Sequence, residues 1–265
     1  MSKASEILNR SRKIVLKIGS NVLADGTGML DNSVIENIVD QVSFLRGLGK
    51  QVVIVSSGAE VSGVSAINLR SRHGDINYKQ AMCAIGQVEL MMAYKKHFAK
   101  RDTVVGQILL SSANFSDHNT SLHIRNTLFT LLDENVVPIV NENDTVSVEE
   151  FSIGDNDSLA ALTSNLWNAD LLILMSDIDG VFDKSPKNND DAHMISIVED
   201  IDRLEREIEV TGKSSFGTGG MVTKIEAAKT VKPYGTAMML MNGKHTDILK
   251  EIEDGKGIAT VFLPE

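Results

Sequence analysis

The sequence predicts an α/β fold, a three-layer α/β/α sandwich in which helices cover both faces of a mainly parallel central sheet. Two patterns support this prediction. Short, nearly continuous apolar runs read as buried strands, and they alternate with longer segments whose apolar residues recur at helical spacing. A strand, a helix and a second strand in that order form a βαβ unit, whose strands pair in parallel.

The first such unit lies near the start of the chain. Lys13–Ser20 is an apolar run that ends in glycine, as a buried strand and its exit turn would. Apolar residues then recur at helical spacing between positions 34 and 45, with Asp31 or Asn32 available as the N-cap. The run QVVIVSS at 51–57 is the second strand.

The alternation continues to the end of the chain. Helices are predicted at 78–101, 121–135, 158–170 and 223–235, and strands at 103–110, 136–144, 171–177 and 236–243. Residues 259–265 read as an edge strand. Taken singly, several runs also fit a buried helix, and it is the alternation that favours strands.

Composition indicates an ordinary globular protein. Hydrophobic residues make up 42% and charged residues 23%, and no apolar run approaches the roughly 18 residues of a transmembrane helix. The N-terminus lacks the apolar core of a secretory signal. The single cysteine, Cys83, cannot form an internal disulfide. We therefore expect a cytoplasmic protein that does not contact membranes.

The net charge of −10 argues against a nucleic-acid partner, because phosphate backbones attract clustered Lys and Arg. It also makes individually placed lysines informative.

Small and polar residues follow the predicted strands where a ligand site is expected. In open α/β sheets, ligands bind beyond the carboxyl ends of the strands. Each group alone also fits a structural role, such as a snorkelling lysine, a helix cap or a turn. Together they favour a binding site at one sheet edge. The groups are Lys17 with Gly19, Ser20 and Asn21; Ser56, Ser57, Gly58 and Ala59; Asn141, Glu142, Asn143 and Asp144; Gly154 to Asp157; and Ser176 with Asp177.

The segment SSFGTGGMVTK, Ser214 to Lys224, resembles a phosphate loop of unfamiliar order. Its lysine comes four residues after the last glycine, so it is not a Walker loop, and Val222 breaks a G-x-G-x-x-G reading. Its glycines allow close backbone approach, and a predicted helix follows whose N-terminal amides favour anions. A flexible glycine loop with a surface lysine is the plain alternative.

Two lysines among carboxylates and glycine turns indicate phosphoryl transfer, which requires positioning and charge neutralisation more than covalent chemistry. The carboxylates would hold Lys17 and Lys224 in place or coordinate Mg²⁺ through water. The six histidines are scattered, and we predict no residues that ligate a metal directly.

Six motifs in order resemble the amino acid kinase family, and within it most closely the glutamate 5-kinase branch. They are VLKIGSN, IVSSGA, VPIVNENDTV, GDND, the SD…G after a buried strand, and GTGGMVTK. The resemblance runs from about residue 13 to the C-terminus and includes the helix QAMCAIGQVELMMAY. It implies the amino acid kinase fold as one domain over 1–265, with a substrate lobe at about 1–165 and a nucleotide lobe at about 166–265.

The resemblance implies ATP-dependent phosphorylation of the γ-carboxylate of L-glutamate to L-glutamyl 5-phosphate, the first step of proline biosynthesis, with Mg²⁺. It also implies a homo-oligomer, dimer or tetramer, and proline as a feedback inhibitor. Three alternatives remain open: a kinase of the same fold acting on another carboxylate, carbamate or a nucleoside monophosphate; a non-catalytic amino-acid or nucleotide sensor; and an RNA-binding protein, which the acidic charge disfavours.

Residue roles follow from the matching motifs. The resemblance implies that Lys17 and Lys224 stabilise the transferring phosphoryl group and that Asp157 orients both. The implied glutamate-binding residues are Ser57, Gly58, Asn141, Asp144, Asp155 and Asn156. The implied ATP-binding residues are Lys17, Ser176, Asp177, Gly217, Thr218, Gly219, Gly220, Met221 and Lys224.

The sequence departs from the family pattern in places. Ser176 stands where threonine is common, and Glu60 stands where an apolar residue is usual. The chain stops at Glu265, so we expect a short form without the C-terminal PUA domain of many relatives.

Overall fold

The structure is a computed structural model, and it describes residues 1–67, 75–147, 156–184, 186, 189, 191–211 and 220–265. The described helices are α1 (Lys3–Arg10), α2 (Ser20–Leu23), α3 (Asn32–Gly47), α4 (Ala59–Ile67), α5 (Ile76–Ala99), α6 (Ser112–Ser116), α7 (His118–Asp133), α8 (Asn156–Trp167), α9 (Ile201–Thr211), α10 (Gly220–Val231) and α11 (Ile248–Glu253), with a 3-10 turn at Lys232–Tyr234. The described strands are β1 (Lys13–Ile18), β2 (Gln51–Ser56), β3 (Val105–Leu110), β4 (Val137–Glu142), β5 (Leu171–Ser176), β6 (Val181–Phe182), β7 (Met194–Ile195), β8 (Ile197–Val198), β9 (Ala237–Asn242) and β10 (Thr260–Phe262).

The main sheet has the strand order β3-β4-β2-β1-β5-β9-β10-β8. Neighbours from β3 to β9 all pair in parallel, whereas β10 runs antiparallel to β9 and parallel to β8. The mainly parallel sheet flanked by helices confirms the predicted fold class.

An apolar core lies on each face of the sheet, and strand parity assigns residues to them. Ile14, Leu16 and Ile18 of β1 pack into the core that contains α1, α3, α5 and α11. Val15 packs into the opposite core, which contains α7, α8, α9 and α10. Because successive side chains of a strand point to opposite faces, Lys17 shares the side of Val15 and faces α8 and α10.

The strand predicted at 259–265 is present as β10, but its predicted position at the edge of the sheet is wrong. β10 pairs on one side with β9 and on the other with β8, so β8 forms that edge of the sheet. β8 has only two residues, Ile197 and Val198, and so short a strand leaves no periodic pattern to detect.

The structure also adds elements that sequence periodicity missed: α1, α2, α4, α6, α9, α11 and the antiparallel pair of β6 and β7. The division into lobes at about 1–165 and 166–265 stays a prediction. No helix in the described ranges is long and apolar enough to cross a membrane.

Candidate active site

A buried ion-pair triad lies at the carboxyl end of β1. Lys17 Nζ is 2.6 Å from Asp157 Oδ1, and Lys224 Nζ is 3.1 Å from Asp157 Oδ2. Lys17 and Lys224 are 4% and 7% exposed, and Asp157 is fully buried. One carboxylate thus pairs with two ammonium groups from different elements, β1 and α10.

Asp157 lies in the first turn of α8, and α10 supplies two of its partners. Thr223 Oγ1 donates to Asp157 Oδ2 at 3.0 Å, beside the Lys224 ammonium. Lys224 Nζ also donates to the Gly220 carbonyl at 3.1 Å, which holds the ammonium at the start of α10. α8 and α10 pack against each other on the same face of the sheet.

Burial and ion pairing act in opposite directions on Asp157. Desolvation raises the pKa of this carboxyl, but Lys17 and Lys224 outweigh it through charge and hydrogen bonds and hold the pKa below its usual range. Asp157 is therefore ionised at neutral pH and keeps the triad at a net charge of +1, which suits an anionic ligand.

A cavity of about 220 Å³ opens beside this triad. Its walls come from the end of β1, the start of α2, the end of β5 and the start of α10. The lining residues are Lys17, Gly19, Ser20, Asn21, Val22, Ser176, Asp177, Gly220 and Lys224.

Hydrogen bonds join the lining residues that follow β1 and β5. Asn21 Nδ2 donates to Asp177 Oδ2 at 3.1 Å, and Ser176 Oγ donates to Asp177 Oδ1 at 3.2 Å. The backbone N–H of Gly19 donates to the Met175 carbonyl at 3.0 Å, which joins the exits of β1 and β5. The cavity is thus lined by hydroxyl, amide and carboxylate groups as well as by the two lysines.

A chain of side-chain hydrogen bonds lies at the ends of β2 and β4. Asn156 Nδ2 donates to Ser57 Oγ at 2.8 Å and to Asn141 Oδ1 at 2.9 Å. Asn141 Nδ2 in turn donates to Gln87 Oε1 at 2.9 Å. Asn156 directly precedes Asp157, so this amide chain continues into the triad.

Gly58 shapes the turn beside this chain. Its φ is +97°, a conformation that L side chains rarely adopt, and an added Cβ would lie 2.7 Å from Leu23 Cδ1. The preceding residue, Ser57, is 8% exposed, and its backbone N–H donates to the Ile18 carbonyl. Glycine therefore lets the exit of β2 pack closely against the exit of β1.

Asp144 is a second carboxyl with a shifted pKa. Burial, reinforced by the nearby charge of Glu142, raises the pKa of Asp144 to about 6, although Lys79 and a hydrogen bond with the Cys83 thiol oppose the shift. Burial and the Asp144 charge in turn raise the pKa of Cys83. This thiol is thus neutral and acts as a hydrogen-bonding partner of Asp144.

The structure brings most of the predicted residues into two groups. The first surrounds the cavity and contains Lys17, Lys224, Asp157, Ser176, Asp177 and Gly220. The second is the amide chain of Ser57, Asn141 and Asn156, with Gly58 beside it. Met221 is buried in the apolar core and does not line the cavity. Asp155, Gly217, Thr218 and Gly219 lie outside the described residues.

The sequence assigns no role to the site residues Asn21 and Gln87. Thr223 falls in the stretch from Thr218 to Lys224 that the resemblance implies for ATP binding, but its contact with Asp157 is not predicted. Thr223 immediately precedes the predicted catalytic lysine, a position that could have suggested it. Gln87 is a polar residue in a helix that contacts the site, and its signal appears only when the helix face is known.

The described residues contain no group of three or more His, Cys, Asp and Glu side chains placed to hold a metal ion. In this part of the chain, Asp177 is the carboxylate that lines the cavity.

Comparison with known proteins identifies the family of this chain. Residues 12–242 match the model of the amino acid kinase family. The chain is 54% identical over 260 residues to a protein of Alkaliphilus oremlandii named glutamate 5-kinase, with 98% of this chain and 99% of that one covered. A protein of Alkaliphilus metalliredigens with the same name is 55% identical, with 97% of each chain covered.

Solved structures with low sequence identity share the fold. A UMP kinase from Bacillus anthracis superposes with a TM-score of 0.67 at 17% identity, covering 96% of this chain and 97% of that one. A carbamate kinase from Giardia lamblia bound to AMP-PNP gives 0.66 at 14%, covering 97% and 100%. The family match and the two relatives show that the chain belongs to the amino acid kinase family, in its glutamate 5-kinase branch.

Proposed function

We propose that this protein transfers the γ-phosphoryl group of ATP to the γ-carboxylate of L-glutamate, giving L-glutamyl 5-phosphate for proline biosynthesis. The observation that supports it most is the buried Lys17–Asp157–Lys224 triad beside the cavity, in a chain whose full-length relatives are named glutamate 5-kinase.

The triad suits phosphoryl transfer for a simple electrostatic reason. The transferring group spreads negative charge over its oxygens, and catalysis consists mainly of positioning and neutralising that charge. Lys17 and Lys224 supply two positive charges in a buried setting, where each interacts more strongly than in water. Asp157 fixes both ammonium groups in advance, so little reorganisation is needed during the reaction.

In this proposal the cavity takes the nucleotide phosphates and the amide chain takes glutamate. Ser176, Asp177 and Gly220 line the cavity on the ATP side. Ser57, Asn141 and Asn156 offer hydroxyl and amide groups to the amino acid, and the Asp144 carboxylate is assigned to its ammonium group. The residues outside the described ranges, Asp155 and the 217–219 glycine segment, keep their predicted substrate and ATP roles.

Mg²⁺ fits this site as a companion of the nucleotide. Mg²⁺ in kinases is bound by substrate phosphates and one or two carboxylates, with several waters retained. Both oxygens of Asp157 are engaged by lysines, and Asp177 supplies a carboxylate at the cavity wall. When bound, Mg²⁺ would neutralise phosphate charge, and Asp177 is the residue assigned to it.

The test is ADP release measured with L-glutamate, N-acetylglutamate, aspartate, carbamate and UMP as separate acceptors. The proposal expects turnover with L-glutamate far above that with the other four. Turnover with another acceptor but not with glutamate would assign the chain to a different kinase activity of this fold. No turnover with any acceptor would favour a non-catalytic sensor.

We also propose that the protein is a homo-oligomer and that proline competes with glutamate. An exposed apolar stripe on α5, formed by Ile85, Val88 and Met92 at 38%, 59% and 56% exposure, supports self-association. Sedimentation of the wild type and of Val88→Glu tests the first point, and a purely monomeric wild type would refute it. Proline should raise the KM for glutamate without lowering kcat if both use the same pocket.

A further inference from the structure

One face of α5 meets the end of β4 and the segment that follows it at three points. Gln80, Cys83 and Gln87 are spaced three and four residues apart, so they lie on the same side of the helix. Gln80 Nε2 donates at 2.9 Å to a backbone carbonyl, and Gln87 Oε1 accepts from an amide at 2.9 Å. Between them, the Cys83 thiol lies close to a carboxylate. In chain order along α5, the partners are Ser147, Asp144 and Asn141.

α5 packs closely against α4 at the residue that precedes Gln87. At the adjacent Gly86, an added Cβ would lie 1.8 Å from the Ala59 carbonyl oxygen and 2.2 Å from the backbone nitrogen of Gly63. α5 therefore packs backbone to backbone against α4 at this level. This contact fixes the position of the Gln87 backbone relative to the exit of β2, from which α4 starts.

The backbone N–H of Glu142, which can only donate, sets which way the Asn141 amide faces, and Gln87 Oε1 holds that orientation. Asn141 Nδ2 donates to Gln87 Oε1, and its Oδ1 accepts from the backbone N–H of Glu142 at 2.8 Å and from Asn156 Nδ2 at 2.9 Å. The reversed amide would place an NH₂ group against two other donors. The oxygen of Gln87 thus stabilises the one orientation that satisfies all three groups.

The same arrangement leaves a buried acceptor unpaired. Asn156 Nδ2 donates to Ser57 and to Asn141. Its Oδ1 is buried and has no hydrogen-bond partner in the described part of the chain. Asn156 is 8% exposed, so an unmet acceptor here is costly unless a ligand supplies a donor. Gln87 Nε2 is a second buried atom without a partner there.

We propose that Gln87 is a positioning residue for the acceptor substrate: its oxygen holds the orientation of Asn141, and through Asn141 it holds Asn156 with Oδ1 ready to accept from the substrate's ammonium group. The identity of that substrate rests on the proposed function, whereas the coupling of Gln87 to Asn156 rests on the geometry alone.

The first test replaces Gln87 with methionine, which keeps the length of the side chain and removes the accepting oxygen. The KM for glutamate should rise roughly three- to tenfold, as expected for one misplaced hydrogen-bonding group, while the KM for ATP stays unchanged. Gln41→Met is the matched control, because Gln41 is 2% exposed on α3 and its oxygen accepts from the Leu249 backbone. It should lower Tm without changing the KM for glutamate.

A double-mutant cycle separates positioning from a general structural effect. In an Asn141→Ala background, Gln87→Met should leave kcat/KM for glutamate unchanged, because Gln87 acts only through Asn141. An undiminished effect in that background would overturn the proposal, as would an unchanged KM for glutamate or an equal rise in both KM values.

The outcome also distinguishes this inference from the proposed function. If the wild type phosphorylates a different acceptor, the proposed function fails alone, and the same cycle is then measured with that acceptor. If no acceptor is phosphorylated, both proposals fail.

Discussion

Lys17 Nζ and Asp157 Oδ1 lie 2.6 Å apart in a position that is almost fully closed to solvent. The pair joins the central strand β1 to the first turn of α8, and Lys224 completes it from α10. Buried ion pairs are expensive to desolvate and are weak evidence for stability alone. A net positive triad beside a cavity is better explained by a ligand that carries negative charge.

Replacing either lysine by methionine should reduce kcat by about 10²–10³-fold, as for loss of one transition-state donor. The measurement is steady-state ADP release with saturating glutamate and ATP, using Lys17→Met and Lys224→Met. Lys229→Met is the matched control, because Lys229 lies on the same helix as Lys224 but pairs with Glu205 at the surface. Wild-type turnover in either triad variant would refute the role of that lysine.

Asp157→Asn should lower both turnover and stability. It leaves two buried ammonium groups without a counter-charge, which typically costs about 3–5 kcal/mol in the free energy of unfolding. Because the folded-state pKa of Asp157 is depressed, the pair's contribution is present at neutral pH and is lost only as pH falls through that low pKa.

The control for this change is Asp170→Asn, at the opposite end of β1. Asp170 Oδ2 accepts from the backbone N–H groups of Arg12 and Lys13, and asparagine keeps an accepting oxygen there. Urea unfolding at pH 7 should show a small change for this control and a large one for Asp157→Asn. Equal stabilities of the two variants would contradict the account.

As pH rises through the pKa of Asp144, the free energy of unfolding should fall, whereas glutamate binding should become stronger. The folded-state pKa of this carboxyl, about 6, lies above the unfolded value of about 3.9, so the folded protein holds the proton more tightly between these pH values. The free energy of unfolding therefore decreases as pH rises through that window. Above about pH 6, Asp144 is ionised in both states and causes no further decrease.

Asp144→Asn removes this titration. Its free energy of unfolding relative to the wild type should rise from pH 4 to pH 6 and then level off, in urea titrations at several pH values. The KM for glutamate should rise in the variant, because a neutral amide pairs poorly with an ammonium group. A constant stability difference across this range would show that Asp144 is not the titrating group.

Lys50 should matter for stability and not for turnover. Its buried ammonium donates to the carbonyls of Leu8, Asn9 and Ser11, at and just beyond the C-terminal end of α1. Lys50→Met removes these hydrogen bonds, and we expect a loss of about 1–3 kcal/mol in the free energy of unfolding. The KM for glutamate and kcat should match the wild type. A change in either would show that α1 contributes to substrate binding or catalysis.

The sequence predicted what local periodicity and strand order determine. The exits of parallel strands meet at one sheet edge, so strand order alone predicts that Lys17, Ser57, Asn141 and Ser176 lie in one region. The pairing of Asp157 with Lys17 and Lys224 was implied by the resemblance to the amino acid kinase family, and the structure shows the three residues in contact. The roles of these residues remain predictions.

The remaining features depend on pairings that no local pattern carries. The edge strand β8 is two residues long, and the contact of Gly63 with Gly86 joins two helices whose separate periodicities do not reveal it. Lys50 caps a helix through residues about 40 positions away, which needs the tertiary fold. The role proposed for Gln87 depends on its contact with Asn141, which the sequence of α5 alone does not predict.

The most direct test of the central claim is trapping of the product with hydroxylamine, which converts an acyl phosphate to a hydroxamate. The purified protein is incubated with ATP, Mg²⁺ and L-glutamate, and ADP and hydroxamate are measured together. The account predicts glutamate γ-hydroxamate in a one-to-one ratio with ADP. ADP release without hydroxamate, or a hydroxamate on the α-carboxylate, would contradict it.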